Sequence, residues 1–134
     1  MGNSMKIDEF EFGSSIPVLR MLNELDAKAF YLDFLGYQVD WEHRFDASVE
    51  SPLYLQIHLG ESVIHLNGHA DASTPTSEIR IPMHRLDEFA IFLHDKNSRF
   101  GSPMPVDPRG SGKNTDLNLE DPSGNALTFW SHDD

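Results

Sequence analysis

The stretch Asp121-Pro122-Ser123-Gly124-Asn125-Ala126-Leu127-Thr128-Phe129-Trp130 joins a turn of defined chemistry to a strand with two unlike faces. Pro122 suits the first corner of a turn, and Gly124 with Asn125 tolerates the positive backbone angle that closes it. Successive side chains of an extended chain alternate, so Leu127 and Phe129 point one way while Ala126, Thr128 and Trp130 point the other. Thr115, Leu117 and Leu119 alternate likewise before the turn, and residues 113–130 therefore read as a hairpin. An earlier stretch repeats the pattern: Leu53, Leu55, Ile57 and Leu59, a Gly60-Glu61 turn, then Ser62 to Leu66. Gly60 and Gly124 are about 64 residues apart, and so are the two helix starts at Asn23 and Asp87, which marks a tandem repeat of pattern with little identity.

Working outward, Ile16, Val18, Leu19 and Met21 make a short apolar run of strand length. Pro17 within it cannot donate to a ladder and puts it at a sheet edge or a crossing between subunits. Asn23 is an N-cap, Ala27, Phe30, Tyr31, Phe34 and Leu35 follow with helical spacing, and Gly36 closes the helix. Tyr37, Val39, Trp41, His43 and Phe45 then alternate with Gln38, Asp40, Glu42 and Arg44, a strand with one aromatic face. A polar, turn-rich segment over 67–77 reads as a linker. Beyond it come a strand with Ile79, Ile81 and Met83, a helical stripe of Leu86, Phe89, Ala90 and Leu93, and a stretch from Arg99 to Lys113 broken by glycines and prolines. The expected class is α+β: a tail or tag remnant over 1–14, βαβββ modules over 15–66 and 78–130, and a short tail over 131–134.

Composition narrows the partners. A net charge of −12 repels phosphate backbones and anionic lipid heads, which argues against nucleic acid and membrane surfaces and favours a cationic guest. With no cysteine there is no disulfide framework, thiolate zinc site or cysteine nucleophile, as fits a reducing compartment such as the cytoplasm. No Gly-x-Ser-x-Gly elbow, HExxH or nucleotide-binding glycine loop occurs.

Ile16-Pro17-Val18-Leu19, the run Ala29-Phe30-Tyr31 with Phe34-Leu35-Gly36-Tyr37, the segment Val39 to Phe45, and Asp121-Pro122-x-Gly124-Asn125-x-Leu127-Thr128-Phe129 together resemble the glyoxalase, bleomycin-resistance and extradiol-dioxygenase (vicinal oxygen chelate) superfamily, and within it the bleomycin-resistance branch. The resemblance implies paired βαβββ modules, sheets curled into cups, and a homodimer whose cups hold a small molecule. It also implies that Pro17 occupies the hinge where the first strand is often exchanged between subunits.

In metal-dependent members, ligands project from the opening and final strands of each module. Those places correspond here to about Ile16, His65, Glu78 and Thr128. Ile16 and Thr128 do not supply the nitrogen or carboxylate a divalent cation needs, so His65 and Glu78 remain as weak metal candidates, fewer than the three ligands a catalytic site wants. No cofactor and no catalytic residue is therefore expected. What remains is a cup lined by Trp41, Phe45, Tyr54 and Trp130, with Asp40, Glu42, Asp46 and Glu50 supplying negative charge, suited to a planar cation. Bleomycin-type glycopeptides fit that description. Resistance-branch relatives carry Pro-Trp-Gly in the long loop, whereas this chain has Pro108-Arg109-Gly110, and Arg109 opposes a cation and suits a carboxylate. The leading expectation is metal-independent sequestration of a bleomycin-like ligand. The alternative is a metal-dependent lyase, dioxygenase or thiol transferase using His65, Glu78 and water.

Overall fold

In each half of the chain, alternate strand residues are apolar and pack on a helix, and the opposite face is left to polar and aromatic side chains. The structure is a computed structural model that describes residues 4–48, 50–69 and 76–131. Strands β1 (Val18–Arg20), β2 (Gln38–Arg44), β3 (Leu53–Leu59) and β4 (Ser62–Asn67) form a sheet in the order β1-β4-β3-β2. Strands β5 (Glu78–Pro82), β6 (Asp116–Glu120) and β7 (Ala126–Trp130) form a second, in the order β5-β7-β6. In both, the first strand runs parallel to the last.

The two halves are not equal copies. Between helix α2 (Leu86–Asp95) and β6, the strand expected by analogy with β2 is reduced to one bridge, Val106 to Asp116. The proline and glycine punctuation between Arg99 and Lys113 limits ladder formation there. In the loop that follows, the Asp107 carboxylate accepts the backbone N–H groups of Ser111 and Gly112 at 3.0 and 2.7 Å. Of the expected linker over 67–77, residues 70–75 lie outside the described residues, as do 132–134 of the expected C-terminal tail.

Pro17 ends the first strand before it starts: β1 is only three residues long, begins at Val18 and lies at the sheet edge, as a residue without an N–H requires. Asn23 Oδ1 accepts the Asp26 N–H at 2.9 Å and caps helix α1 (Glu24–Lys28). The helix continues as a π-helix over Ala29–Leu35 and stops at Gly36, whose φ of 98° is left-handed. The expected stripe of Ala27, Phe30, Tyr31, Phe34 and Leu35 is buried throughout. Helix α2 departs from expectation at its start, because Arg85, in a left-handed conformation, precedes it with no side-chain cap.

One buried carboxylate joins the halves. Asp121 Oδ1 accepts the backbone N–H groups of Ser123 and Asn125, and its Oδ2 accepts the Tyr31 hydroxyl at 2.7 Å and the Asn125 Nδ2–H at 2.8 Å. Asn125 also donates to the Arg20 carbonyl, and Ser123 Oγ accepts the Leu22 N–H. The turn before β7 is thus fastened to β1 and the first helix, and both halves contribute to one apolar core. Burial, then the Asp121 charge and hydrogen bond, hold the Tyr31 phenol well above its usual pKa. Asp121→Ala leaves four donors without their acceptor and should lower unfolding free energy by about 3 kcal/mol, whereas Tyr31→Phe, which leaves three of those donors in place, should cost about 1 kcal/mol; urea unfolding checks both.

Candidate functional site

Strand β3 turns Leu53, Leu55 and Ile57 to the core, so Tyr54, Gln56 and His58 stand on the opposite, open face. The register sets His65 of β4 across from Gln56 on one side and from Val18 on the other. Strand β2 adds Trp41 opposite Gln56 and His43 opposite Tyr54. A β-bulge between Val39 and Trp41 inserts one residue, so Asp40 and Trp41, sequence neighbours, both act on this face. Strict alternation from Tyr37 to Phe45 separates them; the bulge overturns that expectation. It also fails at both ends of the run. Tyr37 is buried with its hydroxyl on Ser62 Oγ at 2.8 Å, and burial pushes its pKa up to about 12. Phe45, just past β2, is 80% exposed. Glu42 is drawn to the helix, with an oxygen 2.7 Å from Lys28 Nζ.

Trp41 and Tyr54 lie parallel, 5.9 Å apart at 8°, and His65 meets both rings edge-on at 5.2 Å. A hydrogen-bond chain runs behind them: Tyr54 hydroxyl to His65 Nδ1 (2.8 Å), His65 Nε2 to Gln56 Oε1 (2.9 Å), Gln56 Nε2 to Asp40 Oδ2 (2.9 Å), and His58 Nδ1 to Asp40 Oδ1 (2.6 Å). The carboxylate fixes the direction of the chain. Ionised Asp40 only accepts, so Gln56 turns its amide N–H to it and its carbonyl to His65. That carbonyl needs the proton of His65 Nε2, which leaves Nδ1 of the neutral ring as an acceptor and makes the Tyr54 hydroxyl the donor. Both His65 nitrogens are therefore engaged within the protein. The Gln56 hydrogen bond holds the Asp40 carboxyl below its usual pKa against the opposing effect of desolvation, with the hydrogen bond and charge of His58 acting in the same direction as Gln56. Partial burial raises the Tyr54 phenol.

The second sheet presents a different chemistry. Ile79, Ile81, Leu127 and Phe129 pack on the core, so Glu78, Arg80, Thr128 and Trp130 occupy the open face. The Arg80 guanidinium lies over the Trp130 ring, 5.6 Å from its centroid, and donates to Asp116 at 3.1 Å. Thr128 donates to Asn118 Oδ1 at 2.8 Å. Glu78 is exposed at the start of β5, and Arg109 is exposed in the loop closed by Asp107.

Of the expected site residues, the structure thus brings Trp41, Tyr54 and His65 together on one sheet and Glu78, Thr128 and Trp130 on the other, with Phe45 and Arg109 exposed beyond the strands. Gln56, His58, Arg80 and Asn118 were not singled out from sequence. Alternation on β3, β5 and β6 is the signal that finds them, since each is a polar residue between apolar ones. Among the described residues, no group of three or more His, Asp or Glu side chains is gathered to hold a metal ion, and no helix is long and apolar enough to cross a membrane. A larger groove of about 990 Å³ lies elsewhere, lined by Leu59, Ile79, Met83, Phe89 and Phe92 among others, and none of the expected site residues borders it. Its apolar walls are largely the partly buried fringe of the core, and Tyr37, Glu61, Ser62 and Arg80 border it as well.

A family profile described as "Glyoxalase superfamily protein" matches residues 2–134. The chain belongs to the glyoxalase superfamily. No curated protein matches its sequence. Among solved structures, it is similar to a glyoxalase/bleomycin resistance protein from Streptomyces sp. CB03234, at 14% identity and a TM-score of 0.62 over 86% of this chain and 96% of that one. It is likewise similar to an antibiotic-binding protein from the same organism, at 13% identity and 0.62 over 90% and 96%. A third is the bleomycin-binding protein of bleomycin-producing Streptomyces verticillus, solved with copper(II)-bleomycin, at 19% identity and 0.58 over 92% and 99%. These likenesses establish a shared fold.

In this glyoxalase superfamily member, the Asp40 contacts stabilise the folded chain above the ordinary carboxylate pKa and fade as pH falls through the lower Asp40 value. Carboxyl-carbon NMR titration should place the Asp40 midpoint below that of a free aspartate, and Gln56→Leu should move it upward.

Proposed function

We propose that the protein is a metal-independent, cytoplasmic small-molecule binding protein that sequesters a planar cationic ligand of the bleomycin type. Two copies of the chain complete the groove. The observation that carries this reading is the Trp41–Tyr54 stack beside the anionic Asp40. Trp41 is 42% exposed, so the stack has an aromatic surface left for a guest. A cation or electron-poor ring placed there gains about 0.5 to 2 kcal/mol per aromatic partner, and the neighbouring carboxylate adds charge attraction.

His65 braces Tyr54 from behind rather than meeting the guest first, and Glu78, Thr128 and Trp130 line the facing wall. Phe45 and Arg109 stand at the rim. Association of two copies is supported by apolar side chains left exposed near the first strand, with Ile16 at 41% and Val18 at 49%. It agrees with the way open sheet faces are protected in proteins generally. The metal-free character is supported by the donor set: Ile16 has no donor atom, the Thr128 hydroxyl is engaged with Asn118, and the His65 nitrogens are engaged with Tyr54 and Gln56.

Titration of chelator-treated protein with metal-free bleomycin should quench tryptophan fluorescence saturably, and Trp41→Ala should weaken binding at least about tenfold, equivalent to about 1.4 kcal/mol. Sedimentation equilibrium should return a dimeric mass. Binding restored only by added zinc, nickel, manganese or iron, together with stoichiometric metal in the purified protein, would favour the metalloenzyme reading instead.

A further inference from the structure

The apolar groove beside helix α2 follows a free backbone edge. Consecutive residues from Ile79 to Met83 border it, so β5 meets it edge-on rather than by one face. The ladder with β7 shows which groups are spare. The Ala126 N–H donates to the Ser77 carbonyl and the Met83 N–H to the Trp130 carbonyl, both at 2.8 Å, so odd-numbered residues of β5 turn their main chain to β7. Glu78, Arg80 and Pro82 turn theirs to the other edge, where no backbone partner is found among the described residues. Glu78 and Arg80 each offer an N–H and a carbonyl, and Pro82 offers a carbonyl alone. Strand β4 has a like gap on the same groove. His65 donates to the Pro17 carbonyl at 3.0 Å, whereas the Val63 carbonyl, one repeat earlier, faces a proline with no N–H to give.

We infer that this groove is a peptide-binding site, in which a separate extended segment adds to β5 as an antiparallel strand. Pro17, Leu35, Leu59, Val63 and Phe92 line the rest of the groove, so the edge lies in a recess that admits a single strand more readily than the edge of a second folded sheet. In antiparallel pairing, residues opposite Glu78 and Arg80 exchange both main-chain bonds with them, and Pro82 ends the ladder. Side chains opposite Ile79 and Ile81 fall on the apolar side of the sheet, among Phe89 and Phe92. Those opposite Arg80 and Glu78 fall on the open face, beside a guanidinium side chain that is 57% exposed and an exposed carboxylate. The fitting segment therefore alternates apolar residues with an acidic one at Arg80 and a basic one at Glu78. Trp41, Tyr54 and His65 do not border this groove, so the inference goes beyond the planar-ligand reading and does not depend on it.

Two capped pentapeptides of one composition, Leu-Glu-Ile-Lys-Leu and Leu-Lys-Ile-Glu-Leu, test it on the full chain. Amide hydrogen exchange followed by two-dimensional NMR should find the Glu78 and Arg80 amides exchanging freely in the unliganded chain and slowed at least about tenfold by the first peptide, with Ile79 and Ile81 slow throughout. The first peptide should bind about threefold more tightly than the second, the worth of opposite charges set across a strand pair, and Arg80→Gln should narrow that preference. Phe92→Ser, at a half-exposed position, should weaken the first peptide about tenfold. No slowing at Arg80 with either peptide overturns the site, and an absent or reversed order preference overturns the antiparallel register. An Arg80 amide already protected in the unliganded chain assigns the edge to a second copy or to the chain's own residues 9–12, and overturns the peptide assignment. Bleomycin titration at Trp41 reads the planar-ligand site separately.

Discussion

The structure depends on how one buried carboxylate is satisfied. Asp121 receives four hydrogen bonds, two from the backbone of its own turn and two from side chains, one of which, Tyr31, belongs to the first helix. A buried charge is tolerated only when its acceptor capacity is filled, so the turn and the helix are held in one arrangement. Asn125 and Ser123 extend the connection to Arg20 and Leu22, at the end of β1. The result fixes the two sheets to a single core while leaving the open face of each to other chemistry.

A second carboxylate does for the open face what Asp121 does for the core. Because Asp40 can only accept, each partner along the chain from Gln56 through His65 to Tyr54 is forced into one orientation. Tyr54 is thereby held by a directional bond, while Trp41, stacked on it, stays 42% exposed. His65 is held between Tyr54 and Gln56 by a hydrogen bond at each ring nitrogen.

Much of this was legible in the sequence. Pro17 announced an edge strand, the Phe30-Tyr31-Phe34-Leu35 stripe announced the buried helical face, and Gly36 and Gly124 announced left-handed turns. Other features were hidden because they depend on partners far along the chain or on breaks in periodicity. The tie between Tyr31 and Asp121 spans 90 residues, and a turn motif alone does not name its distant partner. The bulge that brings Asp40 beside Trp41 defeats alternation, a rule that assumes one residue per rung. The helical stripe reads the same whether the backbone is α or π over Ala29–Leu35. Arg80 over Trp130 is a cross-strand pairing that becomes visible only when Glu78 and Ala126 are set in register.

The central claim is that the open faces of the sheets, and not the apolar groove beside helix α2, receive the ligand. Mapping amide and indole chemical-shift changes by two-dimensional NMR during titration with metal-free bleomycin tests it most directly. The account predicts movement of the Trp41 and Trp130 indole N–H signals and of the amides of Tyr54, Gln56 and His65. Changes confined to Leu59, Ile79, Met83, Phe89 and Phe92, with the Trp41 indole unmoved, would contradict it.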